Sequence, residues 1–316
     1  GWFRRRHGWQ IRPEWVLHTT GVIPALSAVI KALTQPGDKV LIQTPVYNHF
    51  FTSIHNSGCQ AAESPLVYRD NTYTIDFDDL ERKAADPAVK LMLLCNPHNP
   101  AGRVWTPAEL HRIGELCLRH DVVVVADEIH CELVMPGFRY TPFASLCEEF
   151  ERRSVTCTSP SKAFNLAGLQ VANIFAADAA LRARIGHSLQ INETGEIGPF
   201  AIEALIAAYD EGAEWLDALN EYLHGNYRFS REYFDRNLPQ YPVLPLEGTY
   251  LVWVDCRASG LTSDELETKL LEEAKLRINP GAIYGEAGRD FIRLNIACPR
   301  KLLAEGLDRL RKVLKR

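Results

Sequence analysis

Over the first 175 residues, the hydrophobic positions alternate between two patterns. Short apolar runs have the length of strands, and a continuous apolar run is typical of a strand buried on both faces; they lie at residues 14–20, 39–44, 89–95 and 122–126. Between the runs, apolar residues recur at helical spacing, as at Val22, Leu26, Val29, Ile30 and Leu33. This alternation predicts βαβ units, and therefore an α/β fold with a mostly parallel sheet between layers of helices.

Beyond residue 179 the pattern changes to that of a smaller α+β unit. Helical periodicity dominates residues 181–238. The remainder predicts three strands and two helices: strands at 249–254, 276–279 and 291–296, helices at 263–275 and 300–315. We therefore expect a large α/β domain over residues 1–215 and a small C-terminal α+β domain over residues 216–316.

Composition excludes two classes of partner. The 316 residues are 46% hydrophobic, which is ample for a large core. The formal net charge of −5 does not favour binding to nucleic acid or to an anionic membrane surface. No apolar run approaches the roughly 20 residues that a membrane-spanning helix needs.

The cysteine pattern and the first residues indicate the compartment. Eight cysteines are scattered without a CxxC pair, so we expect a reducing cytoplasm, with neither a disulfide framework nor a metal site. The basic residues in 1–9 precede no hydrophobic region, so they form no signal peptide. They have the pattern of the end of an amphipathic helix, which predicts a natural chain that begins further upstream.

The first candidate site is an anion-binding turn. Thr19-Thr20-Gly21 stands between a predicted strand and a helix that starts at Val22, and the free N–H groups of a helix start attract anions. Most such junctions bind nothing, so the pattern alone leaves an ordinary turn as the alternative. The chain lacks GxGxxG and GxxxxGK[ST], so dinucleotide-binding and P-loop sites have no support.

Three polar or aromatic residues follow the ends of predicted strands, where ligands bind in open parallel sheets. The Tyr47 ring could stack on a flat cofactor or belong to the core. Asn99 stands between two prolines that restrict the backbone. Asp127 ends an apolar strand, where a carboxylate would need a cationic partner, such as a protonated ring nitrogen. The alternative for Asp127 is a cap on the following loop.

Lys162 and Arg293 are cationic residues in apolar surroundings. Lys162 lies between Pro160 and an Ala-Phe-Asn-Leu run, and a desolvated lysine amine is a nucleophile able to form a Schiff base. The alternative is a lysine on an exposed loop. Arg293 lies within a strand, where its guanidinium could bind a carboxylate in a bidentate pair; alternation along an edge strand is the alternative.

Taken together, the order and spacing of these residues are specific. The chain strongly resembles fold-type-I pyridoxal-phosphate enzymes, the aminotransferase class I/II superfamily, over nearly its whole length. Within that superfamily it is most similar to the MalY/PatB-type group of cystathionine β-lyases. Four segments carry this likeness: Cys-Asn-Pro-His-Asn-Pro-Ala-Gly-Arg-Val-Trp (95–105), Asp-Glu-Ile-His (127–130), Ser-Pro-Ser-Lys-Ala-Phe-Asn-Leu-Ala-Gly (159–168) and Arg-Leu-Asn-Ile-Ala (293–297).

The resemblance implies that pyridoxal 5′-phosphate (PLP) is the cofactor and assigns residues to its ring. Lys162 would hold the cofactor covalently and, once released, move the substrate α-proton. Asp127 would pair with the pyridine nitrogen and keep it protonated. Asn99 would bind the 3-oxygen, with His130 nearby, and Tyr47 would stack on the ring face.

The resemblance also indicates which residues would bind the cofactor phosphate and the substrate carboxylate. Arg293, with Asn99, would bind the α-carboxylate of an amino-acid substrate. The phosphate would be held by N–H groups and hydroxyls of Gly21, Val22, Ile23, Ser159 and Ser161. A homodimer is implied too, as is an upstream segment that closes over the substrate.

Two departures bear on the reaction. His130 stands where many aminotransferases carry a tyrosine, and Gln170 stands where they often place a phosphate-binding arginine. A less neutralised phosphate favours a lyase over an aminotransferase. We therefore expect a PLP-dependent carbon–sulfur β-lyase that cleaves cystathionine or cysteine-type L-amino acids to thiol, pyruvate and ammonia. An aminotransferase and a non-catalytic PLP-binding or regulatory protein are the alternatives.

Overall fold

The computed structural model describes residues 1–315. Within them, the strands are β1 (Val16–Thr19), β2 (Lys39–Ile42), β3 (Gln60–Glu63), β4 (Val67–Arg69), β5 (Thr72–Thr74), β6 (Val89–Cys95), β7 (Val123–Asp127), β8 (Ser154–Thr158), β9 (Ala172–Phe175), β10 (Leu251–Asp255), β11 (Asn279–Pro280) and β12 (Phe291–Asn295). The α-helices are α1 (Trp2–His7), α2 (Val22–Leu33), α3 (Asn48–Asn56), α4 (Phe77–Ala84), α5 (Pro107–Arg119), α6 (Glu148–Arg152), α7 (Ala179–Ile191), α8 (Pro199–Glu211), α9 (Ala213–Asn237), α10 (Ser263–Ala274) and α11 (Arg300–Leu314).

The large unit is built on a seven-stranded sheet in the order β1-β9-β8-β7-β6-β2-β3. Only β9 runs against its neighbours: it pairs antiparallel with both β1 and β8, and the pairs from β8 to β3 are parallel. The predicted α/β fold with a mostly parallel sheet is therefore confirmed. Parallel strands end at the same edge of the sheet, so β1, β2, β6, β7 and β8 deliver the residues that follow them to one place.

Helices cover both faces of this sheet, which explains why its strands are apolar. On one face α2, α3 and α7 contribute Leu26, Ile54 and Ile185 to a core cluster. On the other face α4, α5 and α6 contribute Leu80 and Phe150 among others. Each fully buried side chain of this size contributes about 1.5–3 kcal/mol.

The start of α5 illustrates how local sequence sets an element. The Thr106 hydroxyl accepts from the Glu109 N–H, and the Glu109 carboxylate accepts from the Thr106 N–H, with Pro107 at the first helical position. This capping box satisfies two backbone groups that the helix itself leaves free. Because the capping box lies within residues 106–109, the sequence alone predicts a helix start here, and the structure confirms it.

The C-terminal unit is an antiparallel sheet in the order β10-β12-β11, packed against α9, α10 and α11. Of the predicted strand at 276–279, only Asn279 is in a strand. The chain leaves α10 through Lys275 in the left-handed conformation (φ 52°), and it meets β12 only at Asn279. Because β12 is the central strand, the alternative that placed Arg293 on an edge strand is wrong.

Two further features concern the ends of the large unit. The Trp2 indole N–H and the His7 Nε2 both contact Glu132 Oε1, at 2.6 and 2.7 Å, and hold α1 against the sheet. The predicted domain boundary at residues 215/216 falls within the continuous helix α9, and it stays a prediction.

None of the helices in residues 1–315 combines the length and apolarity that crossing a bilayer requires.

Candidate active site

A cavity of about 280 Å³ opens at the carboxyl edge of the parallel strands. Every residue that the sequence singled out for the site lines it: Gly21, Val22, Ile23, Tyr47, Asn99, Asp127, His130, Ser159, Ser161, Lys162 and Arg293. The roles assigned to these residues stay predictions. Their convergence follows from the topology, because each stands just beyond a strand that ends at this edge or, for Arg293, on the facing strand β12.

One end of the cavity is rich in hydrogen-bond donors. Gly21 caps α2 without a side-chain hydrogen bond, so the N–H groups of Val22 and Ile23 have no carbonyl partner within the helix. The Ser159 hydroxyl is already engaged, because it donates to the Val171 carbonyl at 2.6 Å and accepts from the Ser161 N–H at 3.1 Å. With its helix dipole, this end suits an anion.

Asp127 supplies the negative charge of the cavity. It ends β7, is 3% exposed, and its Oδ1 accepts from the Ile129 N–H at 3.2 Å. Burial raises the pKa of Asp127 to about 7, while the Ile129 N–H and the Lys162 charge act in the opposite direction. Among residues 1–315 it forms no ion pair, so a cationic group in the cavity would stabilise its ionised form.

Tyr47 and Asn99 flank this carboxylate. Tyr47 caps α3 and packs edge-on against Phe50, with ring centroids 6.3 Å apart. Burial raises the pKa of Tyr47 to about 12, so the phenol is neutral. The Asn99 Oδ1 accepts from Arg293 Nη1 at 3.0 Å. The amide nitrogen of Asn99 is then the group that can donate to a bound acceptor.

Lys162 lies in the turn between β8 and β9, and its half-buried side chain lines the cavity. Hydrogen bonds from the Phe164 N–H to the Pro160 carbonyl (2.9 Å) and from the Leu166 N–H to the Ser161 carbonyl (3.1 Å) shape this turn. The lysine is therefore presented by a closed loop between two paired strands, close enough to Asp127 for its charge to lower the pKa of that carboxyl.

His130 is a buried, neutral imidazole. Burial lowers the pKa of His130 to about 3, and the charges of Lys162 and Arg293 act in the same direction. Its Nδ1 has no hydrogen-bond partner among the described residues. The ring packs edge-on against Tyr250, with centroids 5.7 Å apart.

Arg293 supplies a buried positive charge at the other end. Its Nη1 donates to Asn99 and its Nη2 to Asn279 at 3.1 Å, and its Nε has no partner in the part of the chain described. Burial lowers the pKa of Arg293, opposed by Tyr284 and other tyrosines. No carboxylate of residues 1–315 pairs with it, which leaves the guanidinium available to an anionic ligand.

Sequence reasoning missed part of the lining. Tyr250, Leu251 and Asn295 reach the cavity from the C-terminal unit. An aromatic residue before a strand was the one signal for Tyr250, and it is weak, since most such residues belong to the core. Gln170, noted only as a departure, also lines the cavity and has a left-handed backbone (φ 53°).

Comparison with known proteins places this geometry in a family. Residues 1–310 match the model of the family described as aminotransferase class I and II. The chain belongs to this family.

Relatives within the aminotransferase class I and II family align over nearly the whole chain. Cystathionine β-lyase PatB of Bacillus subtilis is 43% identical over 314 residues, which are 99% of this chain and 81% of PatB. Protein MalY of Escherichia coli is 34% identical over 313 residues, covering 97% and 78%. The crystal structure of cystalysin from Treponema denticola, which contains a pyridoxal 5′-phosphate cofactor, superimposes with a TM-score of 0.97 at 37% identity and covers 99% of this chain and 80% of cystalysin.

Proposed function

We propose that this protein binds pyridoxal 5′-phosphate and uses it as a carbon–sulfur β-lyase, cleaving cystathionine or cysteine-type L-amino acids to thiol, pyruvate and ammonia. One observation carries the proposal. A single cavity is lined by free N–H donors at the start of α2, by the buried Asp127 and by Arg293, and neither of these two charged residues has an ion-pair partner among residues 1–315.

The residues fit this cofactor. A phosphate group would satisfy the N–H groups of Gly21, Val22 and Ile23, and the hydroxyl of Ser161 lines the same end. A protonated pyridine nitrogen would neutralise Asp127. The Asn99 amide nitrogen would donate to the 3-oxygen, and the Tyr47 ring would cover one face of the cofactor.

When bound, pyridoxal phosphate supplies an electron sink for the carbanion left by removal of the α-proton. The remaining steps belong to this chain. Asp127 would hold a proton on the pyridine nitrogen of the cofactor, which would make the electron sink effective. Arg293 binds the substrate carboxylate and so orients the α-carbon toward Lys162, whose Nζ accepts the α-proton.

Neutral surroundings at the phosphate end favour the lyase over the aminotransferase. Gln170 brings an amide rather than a guanidinium to the cavity. The 43% identity to PatB, a cystathionine β-lyase, supports the same choice. An aminotransferase remains the alternative, since the same lysine, aspartate and arginine would serve it.

A homodimer and a cytoplasmic location complete the proposal. The region around α8 exposes large apolar side chains to solvent, which suits a face buried by a second copy: Ile191 (69% exposed), Phe200 (80%), Ile202 (44%), Ile206 (46%) and Trp215 (48%). The cysteines are free thiols, most of them buried, which suits a reducing compartment.

The deciding experiment is an absorbance spectrum of the protein with added cofactor, followed by L-cystathionine and an assay for pyruvate. We expect the visible band of a lysine-linked cofactor in the native protein and in Lys301→Ala, a control at an exposed position, but not in Lys162→Ala. Pyruvate formed without a keto-acid acceptor supports the lyase. Turnover that requires an acceptor supports the aminotransferase, and a band without any turnover supports a non-catalytic PLP-binding protein.

A further inference from the structure

We propose that Asn279 and Tyr284 are positioning residues that hold the Arg293 guanidinium in place without neutralising it, and that they thereby set the affinity of the site for the substrate carboxylate. The inference rests on the proposed function, because it takes Arg293 as the carboxylate-binding group. It adds two residues, Asn279 and Tyr284, that no sequence pattern singled out.

Asn279 fixes one edge of the guanidinium. It belongs to the two-residue strand β11 and stands directly opposite Arg293 in the register with β12. Its Oδ1 accepts from Nη2 at 3.1 Å, while Asn99 Oδ1 accepts from Nη1 at 3.0 Å. Because arginine has only donors, both amides must present their oxygens to it. Each of the two terminal nitrogens of Arg293 donates to its own amide oxygen, and together these two hydrogen bonds determine the direction in which the guanidinium points.

Tyr284 fixes the plane of the group. The guanidinium carbon of Arg293 lies 4.9 Å from the centroid of the Tyr284 ring. That ring is fully buried and packs edge-on against Trp253, with centroids 5.6 Å apart, and the Tyr284 carbonyl accepts from the Val46 N–H at 2.9 Å. Because the Tyr284 ring is held rigidly, its face attracts the Arg293 guanidinium and restricts the tilt of that group.

The groups that hold the Arg293 guanidinium carry no charge, and this matters for the binding of an anionic ligand. Arg103 is also half-buried, with 11% of its side chain exposed, but it contacts the carboxylates of Glu109 and Glu247 at 3.1 and 2.9 Å. Arg293 receives two amide oxygens and an aromatic face instead. An ion pair would cancel the charge that a ligand needs, whereas amides orient the guanidinium and leave its charge for the ligand.

The test compares variants of Asn279 in the PLP-loaded enzyme. For Asn279→Ala we expect KM for L-cystathionine to rise about tenfold with kcat nearly unchanged, because one hydrogen bond to a charged group is lost. For Asn279→Asp we expect a larger rise, of the order of a hundredfold, because the new carboxylate neutralises the arginine. Asp is nearly isosteric with Asn, so this variant remains decisive even if the alanine variant folds poorly.

A second readout separates binding from turnover. L-alanine carries the α-carboxylate but no β-leaving group, so its dissociation constant can be measured by titrating the cofactor band. That constant should follow the same order as KM: native, then Asn279→Ala, then Asn279→Asp. Tyr284→Phe keeps the ring and should leave the constant unchanged, whereas Tyr284→Leu should raise it. Asn237→Ala, whose amide donates to the Tyr233 carbonyl far from the cavity, is the matched control.

The outcomes discriminate clearly. If Asn279→Asp binds L-alanine as tightly as the native protein does, the asparagine has only a structural role and the proposal is wrong. A fall in kcat without a rise in KM overturns it as well. Arg293→Ala identifies a failure of the underlying function: if that change leaves KM unaltered, Arg293 is not the carboxylate site at all.

Discussion

At the scale of single residues, burial in the cavity disfavours the charged forms of three ionisable groups. Asp127 has a raised pKa, whereas His130 and Arg293 have lowered ones, and burial is the largest cause in each. None of the three has a partner of opposite charge within hydrogen-bonding distance among residues 1–315. Such groups reduce the stability of the empty protein and prepare the site for a ligand that carries the missing charges.

Asp127→Asn should stabilise the cofactor-free protein more at pH 8 than at pH 5. The folded pKa of about 7 lies above the usual value of 3.8, so between these values the folded state binds more protons and loses stability as pH rises. Asparagine removes that loss, which amounts to about 2–4 kcal/mol. Urea unfolding at the two pH values measures it, with the exposed Asp235→Asn as control. Equal destabilisation at both pH values would contradict the assignment, and cofactor affinity should fall in Asp127→Asn alone.

Gln170→Arg should strengthen cofactor binding. Gln170 lines the cavity and already has the left-handed backbone that an arginine would need there, so the change adds a cation near the phosphate end without a new backbone cost. We expect the dissociation constant for pyridoxal phosphate to fall about tenfold, as for one charge-assisted hydrogen bond. Gln190→Arg, on the exposed side of α7, serves as control; equal affinities in the two variants would place the phosphate elsewhere.

At the scale of elements, the loop between β11 and β12 is packed without spare volume. A Cβ atom on Gly281 would lie 2.0 Å from the Gly288 carbonyl oxygen and 2.4 Å from that of Phe291. The loop carries Tyr284 and leads into the strand of Arg293. Glycine at this position therefore permits the close approach that places the Tyr284 ring against Arg293.

Gly281→Ala should consequently lower the free energy of unfolding by about 1–3 kcal/mol, as overpacking does, and should also raise KM. Thermal unfolding together with steady-state kinetics measures the two effects. The matched control is Gly198→Ala, because nothing lies within 4 Å of a Cβ there and the backbone conformation suits alanine. If Gly281→Ala behaved like Gly198→Ala, the loop would be more adaptable than its packing indicates.

Elements that depend on local sequence were predicted well. Strand β6 matches its predicted limits because an apolar run is sufficient to define a doubly buried strand, and α5 matches because its capping box is local. The strand expected at 276–279 is mostly absent because the path after α10 depends on Lys275 and on where β12 lies. Asn279 and Tyr250 escaped prediction for the same reason: their approach to the cavity is set by tertiary packing.

At the scale of the whole molecule, the apolar face around α8 is the clearest surface for a second copy. Phe200→Ser should convert a dimer into a monomer without loss of fold, since Phe200 is 80% exposed and contributes little to the core. Sedimentation velocity measures the change. Leu302→Ser removes another exposed apolar residue, 58% exposed on α11, and should leave the dimer intact. A native protein that sediments as a monomer would refute the dimer proposal.

The long helix α9 has a mechanical consequence. Near its start Leu216 packs in the cluster that holds α1 to the large unit, and further along Leu223 and Phe234 pack in the core of the C-terminal unit. The two cores therefore share one continuous helix of 25 residues rather than a flexible linker. Any movement of one core relative to the other has to rotate or bend this helix. Because Arg293 lies in the C-terminal unit and Asp127 in the large unit, any such movement would change the distance between these two charged groups of the cavity.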